Sequence, residues 1–320
     1  MTDHFKIALI GGSGFIGTKC AGLLWQGGHF VTIADTVPSK AYPDSNKHAD
    51  VRNKDSLRSA LQGVDVIINL AAMHRDDVRP VSLYDEVNVQ GAQNICDVAR
   101  ELSIQKIIFT SSAAVYGHGH GEVDENAPHN PIGDYGRTKS EAETIFKNWQ
   151  AEDPLRTLVI VRPTVVFGPE NRGNVHVLMD QIARGRFVMI GDGLNKKSMA
   201  YVDNVAAFLV YSLNMGAGVH VYNYVDKPDV TMNELVSLIR QKLNKSPSVA
   251  LHVPLSLGLI AGGFFDIVAR LTKKQLPISR VRVEKFCAET LFSAAKLQSS
   301  GFKPPKTLNE GLAATLDAEF

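Results

Sequence analysis

A chain of 320 residues with 44% hydrophobic residues can bury a large core, as one large domain or as a main domain with a smaller one. Its formal net charge of +1 and the lack of a basic run argue against nucleic acid or an anionic membrane as a partner. The three cysteines, Cys20, Cys96 and Cys287, lack the spacing of a disulfide framework or a metal site, so we expect a reduced, cytoplasmic protein without a bound metal. A polar start that leads into a strand predicts no signal peptide.

The chain opens with a strand and a glycine motif. Four apolar residues, 7–10, are typical of a buried parallel strand, and Gly11, Gly14 and Gly17 follow at G-x-x-G-x-x-G spacing before a helical stretch, 18–25. Glycines at this spacing allow a tight turn, close approach of a pyrophosphate and close packing of helix on strand. The helix N-terminus then offers free N–H groups to phosphates. This context predicts a dinucleotide site.

A second strand, residues 29–34, ends at Asp35. A carboxylate at this place accepts hydrogen bonds from the adenine ribose and repels a 2′-phosphate, which favours NAD over NADP. Lys40 nearby keeps NADP open as an alternative. Asp35 could also simply cap a turn.

Strand and helix patterns alternate through the first half of the chain. Three further strands and two helices are predicted in the order strand 65–70, helix 84–102, strand 106–110, helix 135–150 and strand 157–162. The alternation predicts an α/β fold with a doubly wound parallel (Rossmann) sheet.

The pattern loosens after Pro163, where Gly and Pro become frequent. We expect residues 1–165 to form the NAD-binding domain and residues 166–320 to form mainly a smaller, C-terminal substrate lobe. A return segment, about 197–225, is expected to rejoin the sheet.

Tyr135 and Lys139 form a Y-x-x-x-K pair that shares one face of the predicted helix. An ammonium near a phenol stabilises the phenolate, so we expect Lys139 to lower the pKa of Tyr135 and make it a base for a substrate hydroxyl. Ser112 follows the fourth strand, at the rim where ligands of open α/β sheets gather, and could hydrogen-bond the same oxygen. The alternative is a surface Tyr beside a solvated Lys.

These motifs form a set that resembles the extended short-chain dehydrogenase/reductase family, in its NAD-dependent nucleotide-sugar epimerase/dehydratase branch. The resemblance extends over nearly the whole chain. It rests on GGSGFIG, Asp35, NLAA at 69–72, Asn88 in YDEVNVQG, TSSAAVYG, Tyr135 with Lys139, VRP at 161–163, GDGLNKKSMAYVDNV at 191–205 and the tail FSAAKLQSSGFKPPKTLNEGL.

The resemblance implies roles for individual residues. Ser112, Tyr135 and Lys139 would be catalytic. The cofactor would contact Gly11, Gly14, Phe15, Ile16, Gly17, Asp35, Asp50, Val51, Leu70, Ala71, Ala72, Asn88, Tyr135, Lys139 and Pro163. The substrate would contact His74, Ser112, Asn174, Lys197 and Arg282, with Arg280 as an alternative to Arg282 and an ordinary solvated lysine as the alternative for Lys197.

The resemblance also implies an activity. We expect an NAD-dependent nucleotide-sugar 4-epimerase in polysaccharide biosynthesis that works through a 4-keto sugar, as a homodimer with a nucleotide-activated sugar as substrate. A 4-ketoreductase, a hydroxysteroid-type dehydrogenase and a non-catalytic NAD-binding regulator remain alternatives. Ala113 and Ala114 replace the acid pair of the dehydratases, which disfavours dehydration. Val165 replaces an asparagine found in many epimerases.

Two other features have open interpretations. The apolar stretch 253–265 is too short to span a membrane, and we expect a core or interface helix, with a substrate wall or a lipid-contacting surface as alternatives. His118 and His120 are expected to be solvated rather than to bind a metal.

Overall fold

The computed structural model describes residues 4–75, 78–117, 121–248, 251–272 and 280–320, without the side chains of residues 267, 269–271 and 281–282. The strands are β1 Lys6–Ile10, β2 Phe30–Asp35, β3 Asn46–His48, β4 Val66–Asn69, β5 Lys106–Thr110, β6 Glu122–Val123, β7 Thr157–Pro163, β8 Val165–Phe167, β9 Met189–Ile190, β10 Lys196–Tyr201, β11 Gly218–Tyr224, β12 Asp226–Thr231, β13 His252–Val253 and β14 Leu291–Phe292. The helices are α1 Phe15–Gln26, α2 Lys54–Leu61, α3 Ser82–Tyr84, α4 Gly91–Glu101, α5 Asp134–Ala151, α6 Asn174–Ala183, α7 Val202–Tyr211, α8 Met232–Lys242, α9 Leu255–Thr272, α10 Arg280–Cys287, α11 Ala295–Ser299 and α12 Leu308–Glu319. A π-helical segment, Asp85–Gln90, joins α3 to α4.

Seven parallel strands form the main sheet, in the order β11-β7-β5-β4-β1-β2-β3. The first strand lies inside the sheet, and the chain builds outward from it in both directions. The strand order therefore reverses beside β1, and a crevice opens there at the carboxyl ends of the strands, where ligands of such sheets bind. The predicted doubly wound α/β fold is confirmed.

Helices cover both faces of this sheet because its strands are apolar on both sides. Along β1, Ala8 and Ile10 pack with α2, α4 and α5, whereas Ile7 and Leu9 pack with α1 and α7. All four side chains are fully or almost fully buried. Burying a large aliphatic side chain contributes about 1.5–3 kcal/mol to the stability of a fold. Helices on both faces therefore stabilise the sheet at whose edge the crevice lies.

The rest of the chain builds a second layer beside the crevice. A three-stranded sheet, β12-β10-β8, packs with α6, α8 and α12 around a third apolar cluster. Within the expected return segment, β11 lies in the main sheet beside β7, and β10 lies in the three-stranded sheet. Helices α9 and α10 pack against each other after β13.

Candidate functional site

The glycine loop between β1 and α1 fits closely against its neighbours. Gly11 has a φ of +74°, and a Cβ there would lie 2.7 Å from the backbone nitrogen of Ala71. A Cβ on Gly17 would lie 2.6 Å from the Cα of Gly12. Side chains at either position would push the loop away from the strand ends, so glycine is required for this geometry.

The first turn of α1 is open to an anion. Gly14 is the N-cap, and within the described part of the chain no side chain caps this turn. Its unpaired N–H groups and the positive end of the helix dipole face the crevice, which is the arrangement that binds a pyrophosphate. Phe15 and Ile16 form the first turn and pack on the second layer. The loop residues therefore fit the diphosphate of a dinucleotide.

Asp35 lies beside this loop because β2 is the neighbour of β1. Its carboxylate accepts hydrogen bonds from the backbone N–H groups of Ser13, at 3.0 Å, and Val37, at 3.1 Å. The carboxylate thus caps the turn after β2 and fixes the glycine loop, and its contact with the adenine ribose stays a prediction. Lys40 is exposed.

Two further predicted cofactor residues follow β3. The carboxylate of Asp50 is held by Arg52 at 2.6 Å, and this hydrogen bond keeps the pKa of Asp50 below its usual range. Val51 is buried, and its carbonyl accepts a hydrogen bond from Asn94. The Asp50 side chain is thus paired within the protein.

The chain after β4 lines the crevice next to the glycine loop. Leu70, Ala71 and Ala72 are half-buried there, and the Leu70 N–H donates to the carbonyl of Ile10 at 2.8 Å. This bond ties the crevice wall to the end of β1, directly before the glycine loop.

Asn88, from the π-helical segment, holds the same wall from behind, and its amide is fully used by the protein. It accepts a hydrogen bond from the N–H of Met73 at 2.8 Å, and it donates to the Met73 carbonyl and to the Thr138 hydroxyl. These bonds tie the crevice wall to α5, so the structure shows Asn88 positioning the wall. Pro163 is buried at the end of β7.

Ser112, Tyr135 and Lys139 come together at the carboxyl end of β5. The Tyr135 phenol is hydrogen-bonded to Ser112, whose hydroxyl also accepts from the N–H of Ala114 at 3.1 Å. Lys139 is buried one turn after Tyr135 on α5, and its ammonium donates to the Thr110 carbonyl at 2.7 Å. The strand end and the helix therefore hold three reactive side chains in one place.

The pKa values of this group differ from the expectation. Burial raises the pKa of Tyr135, against the opposing hydrogen bond from Ser112, so the predicted lowering by Lys139 is wrong for this structure. Burial lowers the pKa of Lys139 to about 7, although Glu143 opposes the change. Lys139 faces the carbonyl of Thr110 rather than the phenol, and its own desolvation weakens its charge at neutral pH.

A buried ion pair behind these residues was missed by the sequence reasoning. Glu143, one turn after Lys139 and fully buried, binds Arg162 of β7 at 2.6 Å and accepts from the Ser111 hydroxyl at 2.7 Å. Arg162 also donates to the Tyr116 hydroxyl at 2.6 Å. The VRP motif at 161–163 draws attention to Arg162, but no spacing in the sequence pairs this residue with Glu143.

Four residues are expected to contact the substrate but not the cofactor, and they lie on several different elements of the structure. His74 is exposed on the chain after β4, and Asn174 is exposed at the start of α6. Arg282 lies in α10, but its side chain is outside the described residues, as are His118 and His120.

Lys197, the fourth of them, is not an ordinary solvated lysine. Its ammonium donates to the carbonyls of Lys285, at 3.0 Å, and Ala288 at the end of α10. Burial lowers its pKa to about 8, against the opposing effects of Cys287 and Glu289. The lysine thus joins β10 to the end of α10.

Known proteins similar to this chain identify its family. The sequence profile of the NAD dependent epimerase/dehydratase family matches residues 7–224. The chain is 48% identical to the N-acetyl-alpha-D-glucosaminyl-diphospho-ditrans,octacis-undecaprenol 4-epimerase of Escherichia coli O157:H7, over all of this chain and 96% of the relative. It is 30% identical to the UDP-glucose 4-epimerase of Vibrio cholerae, over 98% and 95% of the two chains.

A solved structure shows the same fold. The UDP-glucose 4-epimerase of Thermus thermophilus, in complex with NAD, superposes with a TM-score of 0.77 at 20% identity, over 98% of both chains. The expected family, enzyme class and NAD cofactor are confirmed. This chain belongs to the NAD dependent epimerase/dehydratase family.

Proposed function

We propose that this chain is an NAD-dependent 4-epimerase of a sugar carried on a diphosphate. The convergence of Ser112, Tyr135 and Lys139 at the same edge of the parallel sheet as the open first turn of α1 is the observation that carries the proposal. A proton acceptor and a dinucleotide site at one crevice are what reversible oxidation of a sugar hydroxyl requires. The two sequence relatives described above are both named as 4-epimerases, which supports the same reaction here.

In this reaction Tyr135 accepts the proton of the C4 hydroxyl, and Ser112 hydrogen-bonds the same oxygen. NAD, when bound, supplies the acceptor and later the donor of the C4 hydride. Tyr135 returns its proton when the 4-keto sugar is reduced on the other face. Because burial raises the pKa of Tyr135, the phenol needs a positive charge nearby to act as a base. Lys139, one helical turn away, is the residue we propose for it, and this role requires the ammonium to be protonated and to turn from the Thr110 carbonyl toward the phenol.

The catalytic set argues against the non-catalytic alternative, because a regulator that only binds NAD has no use for it. Ala113, buried, and Ala114 form a short turn behind Ser112 and offer no acid for dehydration. Reductase and hydroxysteroid-type activities use the same three residues, so substrate tests separate them from the epimerase. Val165 is 39% exposed, but its side chain has no hydrogen-bonding atom, so other residues have to orient the sugar.

The carrier is the second part of the proposal. Our first candidate is a nucleoside diphosphate, as the sequence predicts and as the UDP-glucose 4-epimerase relative uses. The second candidate is a polyprenyl diphosphate, favoured by the 48% identical relative and by exposed apolar side chains on α9. In both cases Asn174 and Lys197, with Arg282, are the residues we propose for the diphosphate.

The remaining expectations belong to the same proposal. We propose that residues 1–165, with the β11 segment, hold NAD and that most of 166–320 holds the substrate, in a cytoplasmic homodimer of a polysaccharide pathway. Among the described residues, no helix is both long and apolar enough to cross a membrane.

A substrate panel tests the proposed reaction. The purified protein is incubated with UDP-glucose, UDP-N-acetylglucosamine and prenyl-diphospho-N-acetylglucosamine, and with their 4-keto forms, each with and without added NADH. The sugars are separated after release. We expect interconversion of two 4-epimers without added NADH. Stoichiometric NADH consumption with a 4-keto sugar, yielding a single reduced product, contradicts the epimerase and supports the reductase.

A further inference from the structure

Helix α9 presents large apolar side chains to the outside. Leu257, Ile260 and Phe264 are 55%, 68% and 63% exposed. Their spacing of three and four residues places them on one helical face. Of the possibilities named for the stretch 253–265, a core helix does not fit, because its largest side chains lie outside the core, whereas an interface helix and a lipid-contacting surface both agree with this exposure. A contiguous apolar face of this kind marks an interaction surface.

The opposite face of α9 packs through glycine. Gly258 is buried, and a Cβ there would lie 2.5 Å from Cγ2 of Ile190 and 3.5 Å from Cγ1 of Val283. Gly262, one turn later, is also buried. The helix thus turns small residues toward the protein and bulky apolar residues away from it, the reverse of an ordinary surface helix. Solvent alone does not explain that arrangement.

Positive charge follows this apolar face along the chain. Between residues 266 and 285 the sequence has six basic and two acidic residues, although the whole chain has a net charge of only +1. Both acidic side chains in this stretch interact with Arg280: Asp266 accepts from its backbone N–H, and Glu284 pairs with its guanidinium at 3.0 Å. An apolar helical face that is followed in the sequence by excess basic charge is typical of a segment that binds an anionic lipid surface.

The helix also lies beside a pocket of the second layer. Ile190, Gly191, Pro254, Leu255 and Cys287 line a pocket of about 300 Å³ at the start of α9. Leu255 thus belongs both to the pocket and to α9. Cys287 is the last residue of α10, and Lys197 binds the carbonyls of Lys285 and Ala288 on either side of it. A surface at this end of the molecule would bring the second layer close to whatever it docks on.

We propose that the α9 face, Leu257, Ile260 and Phe264, docks on the surface of an anionic lipid bilayer without spanning it. This inference rests on the polyprenyl diphosphate candidate of the proposed function, because a sugar on a polyprenol is presented at the bilayer surface. The relative named for such a substrate is 48% identical over the whole chain, α9 included. Docking through α9 would hold the second layer against the membrane, where the sugar diphosphate protrudes.

Vesicle flotation tests the docking directly and without any substrate. The whole protein is mixed with vesicles of equal parts phosphatidylglycerol and phosphatidylcholine, and with vesicles of phosphatidylcholine alone. We expect flotation with the anionic vesicles, weaker at high salt because charge attraction is screened. The variant Leu257→Gln/Ile260→Gln/Phe264→Gln should bind at least tenfold less.

A matched control replaces exposed apolar residues elsewhere. Phe30 and Leu155 are 66% and 75% exposed at the amino-terminal edge of the main sheet, away from the crevice. The variant Phe30→Gln/Leu155→Gln should float as the unaltered protein does. Equal loss of binding in both variants, or no flotation of the unaltered protein, overturns the proposal.

Two further measurements separate the docking from the reaction and from self-association. Without vesicles, the triple variant should retain its activity on a water-soluble sugar diphosphate. If the proposed reaction is wrong, the unaltered protein and the triple variant are both inactive in this assay. The flotation result does not depend on that activity and tests the docking separately. Light scattering should give one oligomeric state for both proteins. If the triple variant dissociates and neither protein floats, the face joins two copies of the chain and the lipid proposal is wrong.

Discussion

Replacing Glu143 with glutamine should destabilise the protein strongly, although the change removes no volume. Glu143 is fully buried and Arg162 is 2% exposed, and the two carboxylate oxygens accept from Nε at 2.8 Å and from a terminal nitrogen at 2.6 Å. The glutamine carbonyl can replace one of these acceptors. Its NH₂ group would face the second guanidinium N–H, so the buried charge of Arg162 would lose its counter-charge.

The expected cost follows from that unpaired charge. Breaking a buried ion pair by removing one partner costs about 3–5 kcal/mol. Arg162 keeps the Tyr116 hydroxyl and the ring of His129, at 2.6 and 2.7 Å, so we expect the lower end, about 3 kcal/mol. That is a large part of the about 5–15 kcal/mol by which native proteins are usually stable.

Urea or guanidinium unfolding at neutral pH measures this change. The control is Glu141→Gln on the same helix, whose carboxylate pairs with Arg137 at 2.9 Å but is 44% exposed. An exposed pair of this kind contributes about 0–1 kcal/mol. If Glu143→Gln lowers the free energy of unfolding by no more than Glu141→Gln, the buried pair between α5 and β7 contributes no more to stability than an exposed pair.

Three further changes test the site itself. Tyr135→Phe should lower turnover by about 10²–10⁴-fold while NAD titration shows nearly unchanged binding; a variant with most of its rate would remove the phenol from the mechanism. Asp35→Ala should relax the preference for NAD over NADP, because the carboxylate no longer repels a 2′-phosphate. Titration of NAD and of NADP into the unaltered protein and into the variant measures this preference. An unchanged ratio of the two affinities would show that other residues set it. Gly11→Ala should weaken NAD binding at least tenfold, because the new Cβ would lie 2.7 Å from the backbone nitrogen of Ala71. The control Gly63→Ala has a similar φ of +73° but open space around it, and it should leave NAD binding unchanged. Equal effects of the two substitutions would refute the steric argument.

The sequence could predict the main sheet because its strands and helices carry local patterns. The strand predicted at 106–110 is β5 as observed, and the helix predicted at 135–150 is α5, Asp134–Ala151. The glycine spacing also predicted the closed loop, since only glycine fits against the neighbouring backbone. The roles of the individual site residues stay predictions until they are tested by substitution.

Long-range contacts could not be predicted in the same way. Glu143 is 19 positions from Arg162 and 32 positions from Ser111 in the chain, and no local pattern in the sequence indicates that these side chains are in contact. Likewise, the sequence left a solvated Lys197 open because the partners of this lysine are backbone carbonyls near residue 285, which leave no side-chain signature.

Helix α9 shows a different limit. Its hydropathy predicts burial, but burial depends on which neighbour covers each face, and the sequence alone does not contain that neighbour. The glycines at 258 and 262 were the usable signal, because small residues one turn apart indicate the face on which a helix packs closely. The bulky residues then had to lie on the other side.

The fate of the hydrogen at C4 tests whether this protein transfers a hydride reversibly within one catalytic cycle. A diphosphate-linked sugar carrying deuterium at C4 is converted by the purified protein in ordinary water without added NADH, and both 4-epimers are examined by mass spectrometry and NMR. We expect the product to keep its deuterium at C4, because the same hydride is taken up by the cofactor and returned to the sugar without exchange with water. Loss of the deuterium to water, or conversion only with stoichiometric NADH, would contradict it.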